Sequence, residues 1–339
     1  MTDLAAFIAG LPKAELHVHH VGSASPRIVA ELAARHEGST RVPADPALLA
    51  DYFAFRDFAH FVQVYLSVVD LIRDAEDVRT LTYEVARDLA AQRVRYAELT
   101  LTPFSHAHRG IPAAEYCAAV EDARRAAEAE LGLVLRWCFD IPGGLEAEAP
   151  QATLDIALDH RPDGLISFGL GGPEVPRPQF APYFDRARAE GLRSVPHAGE
   201  TSGPQSIRDA LDHLGAERIG HGIDCVKDEE LLAILRDRQI PLEVCPTSNV
   251  RTRAVPELAA HPLPRMVEAG LFVTINSDDP PMFGTTLNRE YGIAADLLGL
   301  DAAGVTALAG NAVRASFLPE PAKRLLLAEQ AAHLAALTS

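Results

Sequence analysis

Short apolar runs alternate along this chain with longer stretches whose apolar positions recur every three or four residues. The short runs, bounded by turn-forming residues, read as buried strands: AELHVH (14–19), VRYAELTL (94–101), LVLRWCFD (133–140), LISFGL (165–170), LRSVPHA (192–198), RIGHG (218–222), PLEVCP (241–246) and LFVTINS (271–277). The stretches between them, such as AAEYCAAVEDARRAAEAEL and DEELLAILRD, have the spacing of helices lying on a sheet. Eight strand-then-helix units in 339 residues predict an α/β chain folded as a (β/α)8 TIM-type barrel. The spacing is uneven in one place, where 74 residues separate His19 from Val94 and contain helix-like text such as SPRIVAELAARH and FAHFVQVYLSVVDLIRD. This predicts a helical insertion after strand 1, on the rim where it can cover a pocket. The tail from Ala302 onward reads as C-terminal closing helices, and residues 37–46 as a surface loop. No repeat, Gly/Ser linker or internal boundary appears, so residues 1–339 read as a single domain.

Composition narrows the function. A content of 48% hydrophobic and 23% charged residues supports a large core. The net charge of −16 argues against nucleic acid or an anionic membrane as partner, because such surfaces are held by Lys and Arg clusters. The opening MTDLAAFIAGLPKAEL has no basic leader region, and no run of 18 apolar residues follows, so the expected location is cytoplasmic. Cys117, Cys138, Cys225 and Cys245 form no CxxC pair and read as reduced, mostly buried thiols.

Chemistry can then be placed on the strands. His17 and His19 are two apart on strand 1, so both imidazoles can face the barrel mouth. His197 ends strand 5, His221 ends strand 6, and Asp278 with Asp279 ends strand 8. All fall at carboxyl ends of strands, the face where barrel active sites are assembled. A single strand-end histidine is more often structural, and SDDP alone is a turn sequence. Four such motifs in order on strands 1, 5, 6 and 8 point instead to one metal site. His20 is out of phase with its neighbours and is expected to support the site or contact substrate. The other histidines (His36, His60, His106, His108, His160, His213, His261 and His333) lie in helix or loop text and are not expected to be ligands.

The segments PKAELHVHHVGS, VPHAGE, RIGHGI, CPTSN and TINSDDPPMFGTTL together resemble the adenosine deaminase family of the amidohydrolase superfamily, from about Leu11 to the closing helices. The resemblance implies hydrolytic deamination at C6 of an aminopurine, with His17, His19, His197 and Asp278 binding one divalent metal ion, normally Zn2+. It further implies Glu200 as proton shuttle, His221 as the residue orienting the attacking water, Asp279 as partner of purine N7, and the Gly172 N–H as partner of N3. A binuclear amidohydrolase is the competing reading, but the strand 4 end, GLGGPE, lacks the bridging Lys and leaves only Glu174. A non-catalytic scaffold is disfavoured because every catalytic position is filled. The cytidine-deaminase pattern of H-x-E with PCxxC is absent.

One departure bears on substrate. The family's first motif reads His-x-His-Leu-Asp/Glu-Gly, its acidic residue accepting a hydrogen bond from the ribose 5′-hydroxyl or an equivalent polar group. Here Val21 stands at that position. The loss points to a purine nucleoside with a 5′ extension, 6-amino-6-deoxyfutalosine of menaquinone biosynthesis being such a compound. Adenosine is the alternative substrate, and free adenine is expected to be poorest. The aryl carboxylate of such an extension calls for a cation, for which His20, Arg109 and Arg177 are the candidates.

Overall fold

A computed structural model describes residues 3–337 except 57 and 145. Eight parallel strands follow one another around a barrel in chain order. They are β1 (Lys13–His19), β2 (Val94–Leu101), β3 (Val134–Pro142), β4 (Leu165–Gly171), β5 (Arg193–Ala198), β6 (Ile219–His221), β7 (Leu242–Val244) and β8 (Val273–Ile275). Each lies within the predicted run or extends it by a residue or two. β6, β7 and β8 are shorter than the predicted runs at both ends.

β8 closes onto β1 through residues beyond its own end. Asn276 accepts the Leu16 N–H at 3.1 Å through its side chain, and Asp278 bonds the backbone of His17 (3.0 Å) and His19 (2.8 Å). The seam is therefore made by the residues that also furnish the strand 8 motif.

Between β1 and β2 lie helices Pro26–Arg35, Pro46–Tyr52, Phe58–Val69 and Ala75–Ala91. The last packs in the outer ring against helix Ala113–Leu131, while the others form the predicted insertion. The loop expected over 37–46 ends as Pro46 opens a helix capped by the Asp45 carboxylate. At the opposite end, helices Ala302–Ala315 and Glu320–Ala335 close the barrel floor; Leu326, Ala312 and Val313 pack on Ala14, Leu16 and Tyr96. Gln330 bonds the Pro12 carbonyl at 3.0 Å, and His333 stacks on Phe7 at 4.7 Å. No helix among the described residues is long and apolar enough to cross a membrane. All four cysteines are free and buried.

Candidate active site

The carboxyl ends of the strands surround an open cavity. Phe61, Val62, Tyr65 and Leu66 of helix Phe58–Val69 form part of its wall, so the insertion does roof the mouth. The floor is polar: His19, His197, Glu200, His221, Asp278 and Asp279 all face it.

Strand alternation brings His17 and His19 inward together. His17 is 2% exposed; its Nδ1 lies 2.9 Å from Glu243 on β7, and its Nε2 has no hydrogen-bond partner and faces Asp278 at 3.5 Å. His19 Nε2 lies 3.2 Å from both Asp278 Oδ1 and His197 Nε2. His221 Nε2 stands between two carboxylates, 3.9 Å from Asp278 Oδ2 and 3.7 Å from Glu200 Oε2. One ligand atom from each of His17, His197, His221 and Asp278 falls within 4.8 Å of the others, and His19 abuts this group through its contacts with His197 and Asp278.

The electrostatics show why these residues fit a cation. Burial opposes charge on His17, but the nearby carboxylates of Asp278 and Glu243 outweigh it and push the imidazole up to about 10. His19 is likewise raised, to about 9, as Asp279 and Asp278 overcome its burial. Burial and then the neighbouring imidazoles of His17, His19 and His221 hold His197 well below its ordinary value. The carboxylates call for positive charge while the packed imidazoles resist sharing it as protons. A divalent ion bound by neutral imidazole nitrogens satisfies both demands, and the unpartnered His17 Nε2 is a donor for it.

Neighbouring loops fix the remaining groups. Glu200 Oε1 accepts from Thr252 Oγ1 at 2.7 Å and Asn249 Nδ2 at 3.4 Å, leaving Oε2 toward His221. Ser248 Oγ donates to Asp278 Oδ2 at 2.5 Å. Asp279 is 6% exposed with Oδ1 unpartnered; burial and adjacent Asp278 push it up to about 7. A Cβ on Gly22 would lie 1.5 Å from that oxygen, which explains the glycine in the first motif. His221 (φ 61°) and Asp278 (φ 65°) hold left-handed backbone, a conformation costing of order 1–3 kcal/mol that clusters at functional sites.

Several expected residues take other places. Gly172 is on the cavity wall with φ 76°. Glu174 cannot bridge two metals, because its carboxylate accepts the Thr201 and Ser202 N–H groups, both at 2.7 Å, and pairs with Arg177 at 3.3 Å. His20 and Val21, read as substrate contacts, are not on the wall. They follow the end of β1: His20 turns to Thr82 Oγ1 at 2.9 Å, where burial pushes it down to about 3, and Val21 is 3% exposed in the apolar core. Arg177 is fully buried and donates to the His197 carbonyl at 2.7 Å, so it braces the end of β5. Arg109 is on the rim, paired with Asp70 at 2.6 Å. Sequence reasoning missed Glu243, Thr252, Thr102 and Asp140. Ser248 and Asn249 lay within CPTSN, the only signal for any supporting residue.

A parallel barrel with imidazoles and a carboxylate converging at its carboxyl mouth defines a metal-dependent hydrolase of the amidohydrolase type. The adenosine deaminase family model matches residues 12–332, and the chain belongs to that family. It is 66% identical over 331 residues to an aminodeoxyfutalosine deaminase of Streptomyces avermitilis, spanning 96% of this chain and 92% of that one. Among solved structures, an adenine deaminase from Arthrobacter aurescens superposes with a TM-score of 0.89 at 33% identity, covering 95% of this chain and 98% of that chain. An amidohydrolase from Burkholderia ambifaria with bound Zn gives 0.90 at 26% identity, covering 100% and 94%.

Proposed function

We propose that this chain hydrolytically deaminates aminodeoxyfutalosine, replacing the purine 6-amino group by oxygen and releasing ammonia. One observation carries the substrate: two-thirds identity over nearly the full length of both chains to an enzyme of that name. Zinc is the ion we assign, held by His17, His19, His197 and Asp278, in line with the Zn bound in the related amidohydrolase. We place the enzyme in the cytoplasm, in keeping with four unpaired cysteines.

When bound, the ion supplies a strong nucleophile at neutral pH by lowering the pKa of water. The chain's residues do the rest. Asp279 and the Gly172 N–H hold N7 and N3, turning C6 and N1 toward the β5–β7 side. His221, set between Glu200 and Asp278, orients the water that adds to C6. Glu200, its Oε1 anchored by Thr252, delivers a proton to N1 as the ring accepts electrons. As the C6–N6 bond breaks, the new C6 hydroxyl gives its proton to the emptied carboxylate and becomes the carbonyl; Glu200 passes that proton to the amine, which leaves as ammonia, and the proton lost by the water when it added returns to Glu200.

The test is steady-state kinetics of zinc-reconstituted enzyme on aminodeoxyfutalosine, adenosine and adenine. The expected order of kcat/KM is aminodeoxyfutalosine, then adenosine, then adenine. Equal or higher efficiency on adenosine or adenine would refute the substrate assignment.

A further inference from the structure

Resting on the purine pose above, we propose that Asp140 is the ribose-recognition residue, its Oδ2 accepting a hydrogen bond from a 2′- or 3′-hydroxyl. The argument begins with the order of strands around the mouth. Glu200 and His221 follow β5 and end β6, and Asn249 and Thr252 follow β7, so the C6/N1 edge occupies that arc. N3 meets Gly172 just beyond β4, and N7 meets Asp279 just beyond β8. In a purine, N9 lies between N3 and N7 on the side away from C6. The sugar on N9 must therefore point to the remaining arc, made by β1, β2 and β3.

The polar side chains of β2 and β3 on that arc of the wall are Thr102 and Ser105 after β2 and Asp140 on β3. Asp140 is 3% exposed, a buried carboxylate that lines the cavity. Thr102 Oγ1 donates to its Oδ1 at 2.6 Å and fixes the carboxyl plane. Oδ2 receives no hydrogen bond from another residue among those described. A Cβ on Gly171 would lie 2.6 Å from Oδ2, so the glycine keeps that oxygen clear. With Oδ1 held by Thr102, the carboxylate of Asp140 has acceptor capacity left on the cavity side for a ligand donor. A sugar hydroxyl is a donor of the right kind, and the arc is where the sugar lies. A carboxylate from β3 would thus read the ring hydroxyls and leave the 5′ position open.

The experiment crosses enzyme variants with substrate hydroxyls. Wild type, Asp140→Ala and Thr102→Val, each zinc-loaded with content measured, are assayed on aminodeoxyfutalosine, adenosine and 2′,3′-dideoxyadenosine. Asp140→Ala is expected to lower kcat/KM on both ribosides by roughly 10- to 100-fold, the range for a hydrogen bond to a charged group, while the dideoxy substrate changes by less than ~3-fold. Thr102→Val, which keeps the bulk and removes the donor, is expected to show the same pattern with smaller loss. An equal loss on riboside and dideoxy substrates would overturn the assignment, because it would mark Asp140 as structural. Should Asp140→Ala fail to fold, Thr102→Val decides by the same comparison. A wild type that deaminates none of the nucleosides refutes the proposed function; an active wild type with variants indifferent to the hydroxyls refutes only this inference.

Discussion

Glu243→Gln is the substitution with the sharpest expected outcome. Glu243 is fully buried on β7 between two donors: Oε2 lies 2.9 Å from His17 Nδ1, and Oε1 accepts from Arg218 Nε at 2.6 Å. Arg218 is itself anchored, pairing with Glu98 and standing 4.0 Å from the Phe317 ring centroid. Gln has nearly the same shape but only one acceptor oxygen. If that oxygen stays with the fixed guanidinium, the amide NH2 faces His17 Nδ1–H, donor against donor. His17 relieves the clash by moving its proton to Nε2, which removes the lone pair that faces the metal site. Zinc affinity is then expected to fall about 10- to 100-fold, the usual loss when the outer partner of a metal-bound histidine is removed. Stability is expected to drop by about 1–3 kcal/mol, less than for a broken isolated buried pair because Arg218 keeps Glu98. Competition against a chromophoric chelator reads the affinity, and a 15N–1H imidazole spectrum reads the tautomer. Affinity within about 3-fold of wild type, with Nδ1–H retained, would refute the tautomer argument.

His17→Ala or His197→Ala is expected to abolish zinc binding and activity together, checked by metal analysis of dialysed protein, with wild type holding one ion per chain. Glu200→Gln should keep its zinc and lose at least ~10²-fold in turnover, while Thr252→Val, which only loosens Glu200, should lose on the order of 10-fold in kcat. Gly22→Ala places a methyl on the Asp279 carboxylate and should cost activity while leaving zinc content near wild type, measured on the same sample. Lys13, buried with Nζ 2.8 and 2.6 Å from the Ile8 and Leu11 carbonyls, is pushed down to about 7 by burial and by Arg93. The unfolded chain therefore binds the extra proton between pH 7 and 10.5, and the group's contribution to stability rises with pH across that window, by up to about 1.4 kcal/mol per unit. Denaturant melts of wild type and Lys13→Met over that range should diverge with this sign; parallel curves would refute it.

The short apolar runs and the period-three-to-four stretches between them determined the barrel, because a parallel strand buried on both faces reads as a near-continuous apolar run and a helix covering it as an apolar stripe. HVH on β1 was legible for the same reason: alternation alone puts His17 and His19 on one side. The strand-end positions of His197, His221 and Asp278 were legible because barrels assemble sites at that face. Beyond the strand ends the period stops, and so does the sequence's reach. His20 and Val21 read as substrate contacts, but the chain turns after His19 and sends them into the packing beneath helix Ala75–Ala91 and the core. Arg177 read as a free cation, yet burial and Glu174 make it a brace. Glu243, Thr252 and Asp140 carried no local signal. Glu243 is 226 residues from His17, Thr252 is 52 from Glu200, and Asp140 is 38 from Thr102. Such partners are decided by strand register and barrel closure, which join residues distant along the chain and leave no periodic mark in it. The left-handed backbone at His221 and Asp278 is of the same kind, since no preference of His or Asp alone imposes it; the closed seam between β8 and β1 and the packed mouth hold it there.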